Sequence, residues 1–123
     1  MEEKNEYSYF ETIHNIKFHI ENNDTKFNIF SSLDKDNLVL ADSILEVETI
    51  ISILKSFLSK YLDKNKKYET KHISLKIVTK NSIDSLRLII KENKENIFLS
   101  KQEVNQLSDF LIKSLNKCNL LYR

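Results

Sequence analysis

The chain has no glycine, no proline and no tryptophan among its 123 residues. Loops that cradle phosphate groups depend on glycine, because a residue without a side chain lets backbone N–H groups approach the ligand. The sequence therefore argues against P-loop, dinucleotide-binding and kinase-type phosphate sites. Tight turns must use Asn and Asp, which tolerate a left-handed backbone better than other non-glycine residues. We expect such turns at residues 22–24 and 34–37, at Asn81 and at Asn93.

Cysteine and long apolar runs are also scarce. The single cysteine, Cys118, cannot form an internal disulfide, so a cytoplasmic setting is expected. No run approaches the roughly 18 apolar residues of a membrane helix, and residues 1–6 are acidic rather than apolar, so neither a membrane span nor a signal peptide is predicted. The abundance of Lys, Asn and Ile is typical of a low-GC genome, such as those of low-GC bacteria and their phages.

An internal repeat is the most informative feature that is present. Its two copies are about 57 residues apart, and a repeat of this kind decides architecture before any local argument. The matched segments are 10–14 with 68–72, 16–20 with 73–77, and 43–47 with 100–104. The sequence thus predicts an internal tandem duplication, with repeat 1 over about 10–60, a linker over about 62–67 and repeat 2 over about 68–117.

Each copy shows strand-type alternation followed by helix-type spacing of apolar residues. In the second copy the predicted strands are 72–79, 85–91 and 97–99, and Ser100 with Glu103 forms a capping box that begins a helix. The first copy follows the same plan, with a second capping box at Ser43 and Glu46, and has room for a short leading strand at residues 7–11. The predicted fold class is α+β, built from two β-β-β-α units.

One unit of about 50 residues buries too little surface to be stable alone. The two units are therefore expected to close into a single compact domain, residues 1–123, with pseudo-twofold symmetry. The apolar share of 41%, with seven Phe and five Tyr, is sufficient for its core.

Charge is divided unequally between the two copies. Residues 1–60 hold six Lys against eleven Asp and Glu, a net charge of −5, whereas residues 61–123 hold thirteen Lys and Arg against seven Asp and Glu, a net charge of +6. Two interpretations stay open. The opposite charges stabilise the halves against each other, or the halves present two different binding faces, one acidic and one basic.

Metal and catalytic motifs are not found. The candidate metal ligands His14, His19, His72, Glu21 and Asp24 lack the compact spacing of zinc sites, and the equivalent positions of His14 and His72 favour a structural role. No nucleophile elbow is present, and the position of the cysteine on an apolar helix stripe favours burial over thiol chemistry. We therefore expect a protein that is not an enzyme and that holds no metal or other cofactor.

The segment Ile97-Phe98-Leu99-Ser100-Lys101-Gln102-Glu103, between strands and a helix, resembles part of a known domain family. It is similar to the transcriptional-coactivator type of single-stranded-DNA-binding domain, the Whirly-like group. In that family a curved sheet is followed by a helix with a similar opening pattern, and two copies form the functional dimer. The resemblance covers mainly residues 73–117 and more weakly 16–60, and it implies single-stranded-DNA binding.

Two functions are compatible with these observations. The first is a small phage or mobile-element inhibitor, of the anti-CRISPR or another anti-defence type, that occupies the surface of a host nucleic-acid-processing protein or ribonucleoprotein complex. Small size, composition, split charge and the lack of catalytic motifs favour it. The expected contacts are the acidic residues Glu21, Asp24, Asp34 and Asp36.

The alternative is a single-stranded nucleic-acid-binding protein that uses its basic C-terminal half. Aromatic side chains can stack on bases while cations hold the backbone. The expected basic contacts are Lys76, Lys80, Arg87, Lys91 and Lys94, and the aromatic candidates are Tyr7, Tyr9 and Phe10. In either case no membrane partner is expected, and the protein is a monomer or a homodimer.

Overall fold

The computed structural model of the protein describes residues 7–23, 26–33 and 36–118. These residues form two four-stranded antiparallel sheets and two helices, which confirms the predicted α+β class. The elements are β1 (Tyr7–Ile13), β2 (Ile16–Asn22), β3 (Phe27–Leu33), β4 (Asp36–Ala41), α1 (Ile44–Leu58), β5 (Tyr68–Glu69), β6 (Ile73–Lys80), β7 (Ile83–Ile90), β8 (Glu95–Leu99) and α2 (Lys101–Lys117).

Each sheet is a meander in which every strand pairs with the next one along the chain. The first sheet has the order β1-β2-β3-β4 and the second has the order β5-β6-β7-β8, and one helix follows each sheet. We call residues 7–58 the first unit and residues 68–117 the second unit; residues 59–67 connect them. Each unit thus has four strands rather than the three core strands expected from the sequence.

The leading strands account for this difference. β1 is seven residues long and pairs with β2 over its whole length, from Tyr7 opposite Asn22 to Ile13 opposite Ile16. Its counterpart β5 has only two residues. The β1 sequence alternates weakly, because Phe10 lies on the exposed face while Tyr9 is only half-buried on the other.

Two hairpin turns show how the chain turns without glycine. The turn between β1 and β2 has His14 and Asn15 at φ 56° and 60°, and the turn between β6 and β7 has Asn81 and Ser82 at φ 52° and 64°. Positive φ at both central residues is the geometry that matches the twist of two-residue hairpins. The expected turns at Asn81 and Asn93 are both confirmed, although in the second turn the left-handed residue is the neighbouring Lys94.

The two helices begin as predicted, but only one has a complete capping box. At α2 the Ser100 side chain accepts from Glu103 N, and Glu103 Oε1 accepts from Ser100 N at 2.9 Å. At α1 the Ser43 side chain accepts from Glu46 N at 3.2 Å, but Glu46 Oε1 takes a long contact of 3.4 Å from the N–H of Asp42. The prediction of a second capping box is therefore only half right.

The buried side chains of both units form one apolar cluster between the sheets and the helices. The predicted inward residues Ile16, Phe18 and Ile20 all belong to it. Phe110 of α2 stacks on Tyr9 at 5.7 Å between ring centroids and lies 6.4 Å from the ring of Phe18. The helix of the second unit therefore packs against the sheet of the first unit.

Candidate nucleic-acid interface

The outer face of the second sheet carries a row of three side chains, Lys76, Arg87 and Phe98. The strand register places Lys76 of β6 opposite Arg87 of β7, and Arg87 opposite Phe98 of β8. Their neighbours along the strands, such as Leu75 and Leu86, are fully buried on the inner face. Alternation therefore turns the row outwards. We call these three residues the basic row.

The basic row is a place where an anion would bind favourably. Like charges directly opposite on neighbouring strands are destabilising, and Lys76 and Arg87 form such a pair. The Nε of Arg87 is buried and has no hydrogen-bond partner among the described residues. Phe98 is 48% exposed, so a planar group can stack on its ring beside the two cations.

The three other predicted basic residues lie away from the row. Lys80 is at the hairpin end of β6, four residues or about 13 Å from Lys76 and on the same face. Lys91 and Lys94 follow β7 at the opposite end of the sheet. The Nζ of Lys91 donates to Thr70 O at 2.7 Å, so this amine is already engaged. The structure thus brings two of the five predicted cations into direct opposition.

A cavity of about 750 Å³ opens beside Phe98, and the two cations of the basic row, Lys76 and Arg87, do not line it. Its wall includes Phe98 and Ile83, which is 69% exposed although it is a large apolar residue. Lys64 and Lys101 also contribute to the wall, together with Asp84. The cavity therefore combines apolar surface with charged groups of both signs, because Glu103 also lines it and Lys64 Nζ lies 3.2 Å from Asp84 Oδ2.

The outer face of the first sheet carries a similar row, with one residue from each of its four strands. We call it the aromatic row, because three of its four residues have rings. Phe10, His19, Phe30 and Val39 lie directly opposite one another across β1, β2, β3 and β4. The His19 and Phe30 rings stack at 5.0 Å between centroids, and Lys17 Nζ lies 4.8 Å from the Phe10 centroid. The aromatic row therefore also pairs flat rings with a cation.

Burial lowers the pKa of His19, and Lys17 lowers it further, while Glu21 opposes the change. The imidazole is therefore neutral at neutral pH. Its Nδ1 is buried and has no hydrogen-bond partner in the described part of the chain. The His19 side chain is consequently a flat, uncharged surface under Phe30 rather than a cation.

The predicted aromatic cluster divides between the two faces of β1. Phe10 is 58% exposed on the outer face and is available for stacking. Tyr9 points inwards, and its hydroxyl donates to Glu11 at 2.6 Å, a hydrogen bond that raises the pKa of the phenol. The Tyr7 side chain lies outside the described part of the structure. Of the two side chains described, only Phe10 can contact a ligand on this face.

The predicted acidic contacts do not form one patch among the described residues. Asp24 and Asp34 lie outside the described residues. Glu21 is near the end of β2, at the hairpin that leads to β3, and Asp36 begins β4 at the opposite end of the sheet. Glu21 also lies 3.6 Å from His19 Nε2. The two described carboxylates are therefore separated by the length of the strands.

The histidines at equivalent positions contact the opposite unit. Nδ1 of His14 lies 2.7 Å from Oε2 of Glu103, at the N-terminus of α2. Nε2 of His72 lies 3.1 Å from Oδ2 of Asp42, which precedes α1. These reciprocal contacts agree with the structural role expected for both histidines.

The sequence analysis did not select Phe30, Phe98 or Asp42. Phe98 and Phe30 occupy alternate positions in apolar segments, so they read as core residues until the strand register places them on outer faces. Asp42 is 30 positions before His72, and only the fold brings them together. The sequence alone did not supply the strand register, which is needed to assign Phe30 and Phe98 to the outer faces.

No family model, no curated protein and no solved structure matches this chain. Within residues 7–23, 26–33 and 36–118, neither helix has the length and apolar character needed to cross a bilayer. The functional argument therefore depends on the geometry of the two outer sheet faces.

Proposed function

We propose that the protein binds single-stranded nucleic acid on the outer face of its second sheet. The observation that carries the proposal is the opposition of Lys76 and Arg87 beside the half-exposed ring of Phe98. A phosphate between the two cations relieves their mutual repulsion and gives the guanidinium an acceptor. Without a bound anion, the repulsion between Lys76 and Arg87 destabilises the folded protein.

Exposed rings favour a single strand over a duplex. Bases in a duplex are stacked on each other, whereas bases of a single strand are free to stack on protein rings. Phe98 on the second sheet and Phe10 on the first present such rings next to Arg87 and Lys17, respectively. The resemblance to the Whirly-like group points to the same class of ligand.

Affinity should fall with salt in proportion to the number of phosphate contacts. For single strands the slope of log K against log salt concentration is about −0.7 per contact. We predict that Lys76→Gln combined with Arg87→Gln reduces the magnitude of this slope by about 1.4, because two contacts are lost. Fluorescence anisotropy of labelled DNA and RNA oligonucleotides, titrated at several salt concentrations, measures it.

A double variant elsewhere is the matched control. Lys26→Gln with Lys55→Gln removes the same charge from exposed positions outside the basic row. It should leave the slope nearly unchanged. If both double variants reduce the slope equally, the effect is due to net charge and not to the basic row. If the unmodified protein shows no change in anisotropy at low salt, it does not bind nucleic acid.

Stacking provides an independent test of the same face. Replacing Phe98 by Ala should weaken oligonucleotide binding by about 1–3 kcal/mol, the usual contribution of one stacked base. The salt slope should stay the same, because no charge changes. An unaltered dissociation constant for this variant would show that the Phe98 ring does not contact the oligonucleotide.

The inhibitor hypothesis remains a prediction that the geometry favours less. Its two described contacts, Glu21 and Asp36, lie at opposite ends of the first sheet. An inhibitor should retain a host nuclease or ribonucleoprotein complex in a co-purification at moderate salt. Retention of such a complex, combined with no oligonucleotide binding, would favour inhibition over the proposed function.

We infer that the two units arose by tandem duplication and form one pseudo-twofold domain. The repeated order of four strands and a helix supports this origin, and so do the reciprocal contacts of His14 and His72. The shared apolar cluster supports a single domain. Superposition of residues 10–60 on 68–117 in an experimental structure tests the duplication, and a failure to superpose would contradict it.

A further inference from the structure

Three potential metal ligands meet where the first helix approaches the second sheet. Asp42 and Glu46 lie at the N-terminus of α1, and His72 precedes β6. One ligand atom of each residue lies within 4.8 Å of the other two. The cluster therefore joins residues from both units, an arrangement that sequence spacing alone cannot show.

Two atoms of this cluster have lone pairs that the protein does not use. Oε2 of Glu46 and Nε2 of His72 are buried and have no hydrogen-bond partner in the described part of the chain. His72 Nε2 lies 3.1 Å from Asp42 Oδ2, yet the contact lacks hydrogen-bond geometry. Buried polar atoms normally find a partner, so two unpaired atoms in one cluster make a place where a cation can bind.

The Glu46 carboxylate also departs from its expected role. In α2 the equivalent Glu103 bonds back to the cap residue Ser100 at 2.9 Å and completes the box. Glu46 Oε1 instead accepts two long contacts of 3.4 Å, from Asp42 N and from Ser43 Oγ. Its second oxygen, Oε2, is buried and has no hydrogen-bond partner among the described residues.

The electrostatics of the cluster call for a cation. Asp42 and Glu46 place two carboxyl groups with ligand atoms within 4.8 Å of each other. The charges of the two carboxylates thus oppose each other. Lys71 Nζ partly compensates at 3.0 Å from Asp42 Oδ2, but its side chain is 67% exposed and can be displaced.

We propose that Asp42, Glu46 and His72 bind one Zn²⁺ ion. Zinc accepts a mixture of imidazole nitrogen and carboxylate oxygen, and three protein ligands with one water complete a tetrahedron. Nε2 of His72, Oε2 of Glu46 and a carboxylate oxygen of Asp42 are the ligand atoms. The ion would connect the N-terminus of α1 to the second unit and stabilise the folded chain by mass action.

The second helix offers an internal control for this site. His14 and Glu103 occupy the positions of His72 and Glu46, but Leu99 stands where Asp42 precedes the cap. Glu103 is already committed to the capping box and to His14 at 2.7 Å. The N-terminus of α2 therefore has two potential ligand side chains, His14 and Glu103, and an apolar residue at the third position.

Equilibrium dialysis of the full chain against buffered Zn²⁺, followed by metal analysis, tests the proposal. One ion per chain is expected, together with a rise in Tm that EDTA reverses. His72→Gln and Glu46→Gln should each weaken binding at least tenfold, since even indirect partners of metal ligands contribute about 10–100-fold. Glutamine at residue 46 keeps a side chain that suits a cap, so the helix should still form.

His14→Gln and Cys118→Ser are the controls, and both should retain the ion. Circular dichroism confirms that each variant is folded. The proposal is overturned if the unmodified chain binds no Zn²⁺, if His72→Gln and Glu46→Gln bind it as well as the unmodified chain, or if His14→Gln loses it to the same degree. Loss in Cys118→Ser alone would assign the ion to the thiol instead.

Discussion

At the residue scale, the chain turns without glycine at the cost of backbone strain. Among the described residues, six non-glycine positions have positive φ. They are His14, Asn15, Lys60, Asn81, Ser82 and Lys94. Asn accepts this conformation readily, so the expectation of turns at Asn residues is right at Asn81. The involvement of His14, Ser82 and Lys94 could not be predicted, because hairpin length forces the conformation on whichever residue occupies the position.

Replacing Ser82 by Gly should therefore stabilise the protein. A left-handed backbone costs a serine roughly 1–2 kcal/mol, and the greater freedom of glycine in the unfolded chain cancels part of the gain. We expect the free energy of unfolding in urea to rise by about 0.5–1 kcal/mol. Asn81→Gly should gain less, because asparagine already tolerates the conformation. Destabilisation by Ser82→Gly would show that the turn carries no strain at this position.

At the element scale, the sequence predicted the helices better than the strands. Both helix starts follow from Ser43 and Ser100, and the strands β6 and β7 follow from alternation. The length of β1 did not follow, because its inward side combines Tyr9 and Glu11 with a single aliphatic residue, Ile13, among the side chains described. The missing half of the α1 capping box depends on a contact between Glu46 and Asp42, which local spacing does not specify.

The N-terminus of α2 should make stability depend on pH. Burial alone would raise the pKa of Glu103, but hydrogen bonds from the Ser100 backbone, the His14 side chain and the Ser100 side chain lower it overall. A carboxylate with a lowered folded-state pKa contributes stability above its unfolded pKa, about 4.3, and loses that contribution as pH falls through the folded value.

Urea unfolding of the unmodified chain and of Glu103→Gln, from pH 7 to pH 3, measures this contribution. The unmodified chain should be more stable by about 1 kcal/mol at pH 7, a typical value for a helix cap. The difference should shrink on acidification. A difference that stays constant over this range would mean that the Glu103 charge does not contribute to the cap.

At the scale of the whole molecule, the two units depend on each other. The internal repeat indicated two similar halves that need each other for stability, and the structure shows one apolar cluster with α2 lying against the first sheet. Which helix covers which sheet could not be read from the repeat. Nor could the outer faces be assigned, because Phe98 and Phe30 resemble core residues until register is known.

Phe110 is the residue through which this dependence is best tested. It is fully buried, belongs to the second unit and contacts the first. Phe110→Ala should lower the free energy of unfolding by about 3–5 kcal/mol. Amide hydrogen exchange should show faster exchange in β1 and β2 as well as in α2. Phe98→Ala, at a half-exposed position, is the control and should change stability little, and two separate unfolding transitions would contradict a shared core.

The most direct test of the central claim is an NMR titration of the isotopically labelled chain with a short single-stranded oligonucleotide. The account predicts that amide shifts change mainly in β6, β7 and β8, around Lys76, Arg87 and Phe98, and that the changes disappear at high salt. Shifts confined to the two helices, or no shifts at low salt, would contradict the assignment of the outer sheet face as the binding surface.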